Sequence, residues 1–307
     1  MILGIDIGGT TSKLGLVQDG KVLGRTRIST TGHSDEHAFT DALAAAGRQL
    51  AFEHAAEITA VGIGAPNANQ LSGIIEMAPN LPWRHDVPVA TMMTDRMGVP
   101  ATLGNDANAA ALGEWRYGAG QGFSDLLVVT LGTGLGSGFI ANGQLVLGSA
   151  GNAGELRHMT LVPGGRACTC GRHGCLEAYV SIRGILTTHA ELSTREVPAP
   201  SEVKAIAEAA LGGDPCSLAC FDRTAEWLAI GLANAVCITG PARIVLFGGL
   251  ARNGDLLMRP LLSHFEKALL NIYQGRVDLV RTALPEDDAA LLGAAALGTI
   301  TAKDTMR

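Results

Sequence analysis

The sequence predicts an α/β protein made of two related halves, and three observations carry that reading. A β-rich apolar run meets a Gly-Thr turn at Ile2–Thr11 and again at Leu126–Gly136, about 120 residues apart. Each time a second strand, an Asx-Gly turn and a third strand follow in the same order, which makes chance recurrence a poor explanation. Finally, 307 residues, of which 47% are hydrophobic, supply apolar material for about two domains, each with a core of its own.

Ile2–Ile7 reads as a short buried strand, followed by Leu14–Val17, the hairpin signal Asp19-Gly20 and Lys21–Gly24. Asp35–His54 is an alanine-rich helix, and Ala60–Ile63 is a strand that ends in Gly64-Ala65-Pro66. Asn105–Glu114 starts another helix, with Asp106 and Asn108 near its N-terminus. The second copy runs through Leu126–Leu131, the turn Gly132-Thr133-Gly134-Leu135-Gly136, Phe139-Ile140, the hairpin signal Asn142-Gly143 and Leu145–Gly148. Past a cysteine cluster, Ala178–Leu186 and Ser201–Leu211 read as helices. Within Leu218–Val236, Leu228, Leu232 and Val236 form one apolar face at i, i+4 and i+8. Arg243–Phe247 is a strand ending in Gly248-Gly249, Ala289–Ile300 is a terminal helix, and Pro198-Ala199-Pro200 marks a loop.

Several function classes fall away on composition. A net charge of −6 gives no global attraction for nucleic acid or for an anionic membrane. Met1–Ile7 lacks the basic start of a secretory signal, and the uncharged stretch Leu126–Gly154 is too broken by glycine to form one lipid-facing helix. A cytoplasmic location is expected. The chain contains no P-loop pattern and no Gly-x-Ser-x-Gly elbow, and Ser137 stands where a dinucleotide fingerprint starting at Gly132 needs glycine.

What remains is a set of polar constellations. Backbone N–H groups at a glycine turn can cradle phosphate, and Asp6, at the end of its strand, suits hydrated Mg²⁺ while Thr10 offers a hydroxyl. A tight hairpin without a ligand is the alternative. Asp106 is ionised at neutral pH and able to take a proton from an attacking hydroxyl; the alternative is an N-cap. His158, Cys168, Cys170 and Cys175 make a Cys₃His set that fits structural, tetrahedral Zn²⁺, with His173 as competitor for the fourth place and unliganded reduced thiols as the alternative. Glu155 and Glu177 flank that set and could accept hydrogen bonds from a polyol, or else be solvated surface acids.

Asp6-Ile7-Gly8-Gly9-Thr10, Asn105-Asp106, Leu131-Gly132-Thr133-Gly134, the Glu155/His158 pair and the Cys-x-Cys-x₄-Cys-x-Glu run occur here in one order. Together they resemble the ROK family of sugar kinases and repressors, in the actin-like ATPase superfamily. The resemblance implies two actin-like (ribonuclease H-like) domains around a central cleft, with a zinc knuckle in the larger one. The expected division is 1–107 for the small domain and 108–289 for the large one, with a C-terminal helix at about 290–307 packing back on the small domain. It also implies ATP, Mg²⁺ and structural Zn²⁺, phosphoryl transfer to a sugar hydroxyl, and a homodimer; the acidic balance adds the expectation of no nucleic-acid or membrane partner. By motif match Asp106 would be the catalytic base, and Asn67, Asn80, Asn105, Glu155, His158 and Glu177 would bind sugar. Asp6, Gly8, Gly9, Thr10, Thr11, Thr133, Gly134, Gly136, Gly248 and Gly249 would bind nucleotide, and His158, Cys168, Cys170 and Cys175 would bind zinc.

One departure is Arg157, which stands where the family commonly has glycine before the histidine. It bears on sugar specificity. Glucose at its 6-hydroxyl is the expected acceptor, with fructose, mannose and N-acetylated amino sugars as alternatives. A non-catalytic sugar sensor or repressor is disfavoured, because the phosphate motif starts at Asp6 and leaves no room for a helix-turn-helix ahead of it.

Overall fold

In a computed structural model, which describes residues 1–77, 81–193 and 202–300, the chain opens with a three-stranded meander. Its strands are β1 (Ile2–Ile7), β2 (Thr11–Gln18) and β3 (Lys21–Ser29). The β2–β3 hairpin turns at Asp19-Gly20, both residues at positive φ (51° and 74°), the backbone an Asp-Gly hairpin requires. Helix α1 (Glu36–Glu53), capped by the Asp35 carboxylate on the Ala38 N–H, leads to β4 (Ala60–Ala65). After the small β5 (Ala68–Asn69) and β6 (Ile74–Ile75) pair come α2 (Val89–Met97), β7 (Ala101–Asn105) and α3 (Asp106–Tyr117). The first sheet has the order β3–β2–β1–β4–β7, with β4 and β7 parallel to β1 and its neighbour.

The second sheet repeats that order. It is built from β8 (Leu126–Leu131), β9 (Leu135–Ala141), β10 (Gln144–Leu145), β11 (Arg243–Phe247) and β12 (Asp278–Arg281), arranged β10–β9–β8–β11–β12. The Asn142-Gly143 turn again has two positive φ values, 51° and 72°. β10 stops at Leu145 rather than running on to Gly148, because Gly148 turns into the left-handed region (φ 71°) and Leu147 gives its carbonyl to the Ala153 N–H. Between β10 and β11 lie α4 (Glu177–Val180), α5 (Ile182–Ser193), α6 (Val203–Leu211) and α7 (Pro215–Thr239). Helices α8 (Asp255–Ala268) and α9 (Glu286–Gly298) complete the chain.

The helix expected over Ala178–Leu186 is two helices. Ser181, in extended backbone at ψ 174°, breaks it, and the break lets the Ile182 N–H reach the Gly132 carbonyl at 2.9 Å. The Pro198-Ala199-Pro200 loop lies outside the described residues, as does the end of the C-terminal helix expected to reach 307.

Two compact units result: Met1–Ser124 with Gly138–Gly154 and Ala283–Arg307, and Asp125–Ser137 with Glu155–Thr282. The first unit therefore also takes in residues beyond 107. In its core, Leu3, Ile5, Leu14, Phe39, Leu43 and Ile63 are fully buried or nearly so, each worth about 1.5–3 kcal/mol of transfer free energy. Helix α9 lies on β1 and β4 at backbone contact distance: a Cβ at Gly62 would strike the Ala294 carbonyl, and one at Gly4 the Leu291 carbonyl. The second unit buries Leu126–Val129 and Ile244–Leu246 of its sheet, and also Leu228, Leu232 and Val236, the apolar face expected of α7. Among the described residues, no helix is long and apolar enough to cross a membrane.

Candidate active site

In the first unit the polar residues gather at the carboxyl ends of parallel strands, where open α/β sheets bind ligands. Asp6 pairs with Lys13 on one side and Gly64 on the other, and the next register step joins Ala65 to Asn105. Burial raises the Asp6 carboxyl above its ordinary 3.8; Lys13 opposes this and the Asp106 charge adds to it, so the two carboxylates sense one another. Gly8-Gly9-Thr10 turns the chain back into β2, with the Gly8 N–H on the Thr11 carbonyl at 3.2 Å and the Thr30 hydroxyl on the Gly8 carbonyl at 2.7 Å. Thr10 and Thr11 are exposed.

Asn105, not Asp106, caps α3. Its Oδ1 accepts the Ala107 N–H at 2.9 Å, and that N–H is shared with Asp106 Oδ1 at 2.8 Å. Asp106 is thus the first residue of the helix, with an exposed side chain. Asn67 occupies a left-handed turn (φ 52°) and donates to the Glu76 carbonyl at 3.3 Å, which ties it to the β5–β6 hairpin. Asn80 lies outside the described residues.

In the second unit two glycine turns meet at the ends of β8 and β11. Gly132–Gly134 closes with the Gly132 N–H on the Gly134 carbonyl at 2.9 Å; Thr133 is exposed at its tip and Gly136 follows in β9. Gly248 (φ 103°) brings the second turn against the first: a Cβ there would lie 2.5 Å from the Leu131 carbonyl oxygen, which also accepts the Leu250 N–H. Gly249 follows it directly.

The ligand atoms of His158, Cys168, Cys170 and Cys175 all lie within 4.8 Å of one another. Cys168 Sγ is 3.7 Å from His158 Nδ1, and Cys170 Sγ is 3.7 Å from Cys175 Sγ. Tetrahedral Zn²⁺ with its usual bond lengths separates such atoms by about 3.6–3.8 Å, so the four residues fit that ion. Burial pushes the Cys175 thiol up to about 12, and burial followed by Arg157 holds the His158 imidazole below its ordinary 6.5. A cation at this point would stabilise the buried thiolate, and a neutral imidazole is the form that binds metal. The knuckle is shaped by Gly171 (φ 84°) and by Gly174 (φ 79°), whose missing Cβ makes room for the Val162 carbonyl. His173 is exposed and stands outside the group.

Two carboxylates border the knuckle. Glu155 is exposed, and its Oε2 lies 2.6 Å from Arg157 Nε and 3.9 Å from His158 Nε2, the ring nitrogen turned away from the cysteines. Glu177 is spoken for on both oxygens: Oε2 accepts the Leu135 N–H at 3.0 Å, and Oε1 the Thr169 hydroxyl at 3.2 Å. The structure therefore places Glu177 against the glycine turn as well as beside the knuckle.

Two residues were not read from the sequence. Thr169 is one; its position inside Cys-x-Cys was the available signal. Arg166 is the other. Its guanidinium lies against the edge-to-face pair of Tyr179 and Trp227, 4.7 and 4.8 Å from the two ring centroids, pairs with Glu191 at 2.6 Å, and donates to the Ala178 and Gly184 carbonyls. It anchors the start of the knuckle to α4, α5 and α7. A second group, His189, Asp214 and Cys216, also clusters within 4.8 Å, but none of the three is fully buried and the Asp214 carboxylate already caps α7 through the Ser217 N–H.

A sheet order used twice, with a glycine turn after the first strand of each copy, is the actin-like ATPase fold, and the cysteine knuckle narrows the class further. The chain belongs to the ROK family, whose model matches residues 2–300. It is 34% identical over 313 residues to a glucokinase of Streptomyces coelicolor, covering 97% of each chain. Its fold is similar to that of a ROK hexokinase from Thermus thermophilus (TM-score 0.87, 33% identity, 99% of each chain). It also resembles a ROK family glucokinase from Streptomyces griseus solved in complex with glucose and AMPPNP (TM-score 0.78, 32% identity, 97% of this chain and 98% of that one).

Proposed function

We propose that this chain, an ATP-dependent sugar kinase of the ROK family, phosphorylates glucose at the 6-hydroxyl with Asp106 as general base. The observation that carries the assignment is the position of Asp106: an exposed carboxylate directly after the carboxyl end of β7, on a helix already capped by Asn105, and within electrostatic reach of Asp6. The similar chain from Streptomyces griseus, which binds glucose and an ATP analogue, supports the choice of both substrates.

In this reading Asp106 accepts the hydroxyl proton as the sugar oxygen bonds to the γ-phosphorus, while the bond from that phosphorus to the β–γ bridging oxygen breaks and ADP leaves. N–H groups of the Gly8–Thr11 and Gly132–Gly136 turns hold phosphate oxygens, with Gly248-Gly249 near the nucleoside. Asp6 would hold hydrated Mg²⁺, which when bound neutralises charge on the β- and γ-phosphates. Asn105, Glu155 and His158 Nε2 hold ring hydroxyls. His158 Nδ1, Cys168, Cys170 and Cys175 would hold a structural Zn²⁺ that fixes the imidazole for that task.

The test is a coupled kinase assay with MgATP against glucose, fructose, mannose and N-acetylglucosamine. The highest kcat/KM is expected on glucose; a higher value on another sugar overturns the choice of acceptor.

A further inference from the structure

The Glu177 carboxylate joins two parts of the second unit that are far apart in sequence. On one side it accepts the Leu135 N–H at 3.0 Å, at the exit of the glycine turn. Gly134 makes that approach possible, because a Cβ at this position would lie 2.7 Å from Glu177 Oε2. On the other side it accepts the hydroxyl of Thr169, the residue between the first two cysteines of the knuckle. The same turn is held at its entrance by the Ile182 N–H on the Gly132 carbonyl, the bond for which Ser181 interrupts the helix. Both ends of the turn are therefore fixed by the segment that follows the knuckle.

An ionised carboxylate only accepts, and a threonine hydroxyl has a single proton to give. With that proton on Oε1, Glu177 is held at both oxygens; without it, Oε1 turns to water and the Leu135 N–H is left as the bond that orients the carboxylate. Placement of turn N–H groups matters most where phosphate charge develops in the transition state.

We infer that Thr169 is a positioning residue for phosphoryl transfer: its hydroxyl sets Glu177, and Glu177 sets the Gly132–Leu135 turn against the nucleotide phosphates. The inference rests on the proposed role of that turn as a phosphate holder. It makes the knuckle a support for the nucleotide side of the reaction as well as for the sugar side.

The experiment compares wild type, Thr169→Val and Thr169→Ser in steady-state assays that vary MgATP and glucose separately, with zinc content and melting temperature measured on each protein. Thr169→Val should lower kcat/KM for MgATP about threefold, the scale of one solvent-exposed hydrogen bond, with the KM for glucose within about twofold of wild type. Zinc content and melting temperature should hold, and Thr169→Ser should restore most of the loss. Unchanged MgATP kinetics in Thr169→Val, an effect confined to the KM for glucose, a loss that tracks zinc content, or failure of serine to rescue would each overturn the inference. Wild type that phosphorylates no sugar with ATP would instead overturn the kinase reading, and with it the role assigned to the turn.

Discussion

Arg157 Nε lies 2.6 Å from Glu155 Oε2, so the residue that departs from the family's usual glycine holds the carboxylate next to it. The same oxygen faces His158 Nε2 at 3.9 Å, which makes Arg157 a rival for any hydroxyl that Glu155 would accept. Both side chains are more than a third solvent-exposed or nearly so (35% and 45%), and exposed pairs of this kind contribute under about 1 kcal/mol. Arg157→Gly should therefore change the KM for sugar by less than about fivefold and leave kcat near wild type. Kinetics across the sugar panel measure this, and a large fall in kcat would give Arg157 a direct part in the reaction.

Asp106 is the first helical residue rather than the cap, so its replacement leaves the helix start intact: Asn105 still accepts the Ala107 N–H. Asp106→Asn should lower kcat by about 10²-fold or more while sugar affinity, followed by calorimetry, stays near wild type. Near-normal turnover in that variant would remove Asp106 from the role of base.

The strands that start each half were legible because β1 and β8 are mostly apolar runs, with Asp6 and Thr130 one place from their ends, each followed by glycine, and both hairpins were announced by Asp-Gly and Asn-Gly. Helix α8 was not, since Pro260 lies inside it and reads locally as a break. The interruption at Ser181 was also hidden. Residues 178–186 have ordinary helical composition; Ser181 is the one local cue, its hydroxyl accepting the Gly184 N–H at 3.2 Å as a cap for α5, while the bond from Ile182 to Gly132 is encoded by no local pattern. The site divides the same way. Asp106, the glycine turns and the cysteines carry their chemistry in residue type and spacing, whereas Arg166 and Thr169 act through partners that only the fold brings near.

Arg166 shows what such a partner set is worth. Packed against two aromatic rings and with four hydrogen-bonding neighbours, its side chain is only 14% exposed. Arg166→Met should destabilise the fold by about 2–4 kcal/mol, from the lost cation–π contacts and from the Glu191, Thr188 and Ala178 carbonyl partners that lose this donor. Denaturant unfolding of the zinc-replete protein measures it.

Freshly purified, unchelated protein should carry about one zinc per chain, and chelation or Cys170→Ser should lower both melting temperature and sugar affinity. The coupling to sugar arises because His158 offers Nδ1 to the cysteines and keeps Nε2 on the Glu155 side. Metal analysis that finds no zinc would remove the knuckle's assigned ion.

Asp6 gives a pH signature whose sign follows from its surroundings. Its carboxyl is raised above 3.8, first by burial and then by Asp106, so the fold favours the protonated form. The stabilising contribution is fully present below 3.8 and is lost as pH rises through the higher folded value, leaving an ionised, partly buried carboxylate at neutral pH. Asp6→Asn removes that burden. The variant should be more stable than wild type at neutral pH, and the gap should close as pH falls below 3.8, as read by denaturant unfolding at the two pH values. The same variant should lose turnover with MgATP, because the group that weakens the fold is the one assigned to the metal of the nucleotide. Equal stability of the two proteins at neutral pH would mean that Asp6 is not strained by its position at the end of β1.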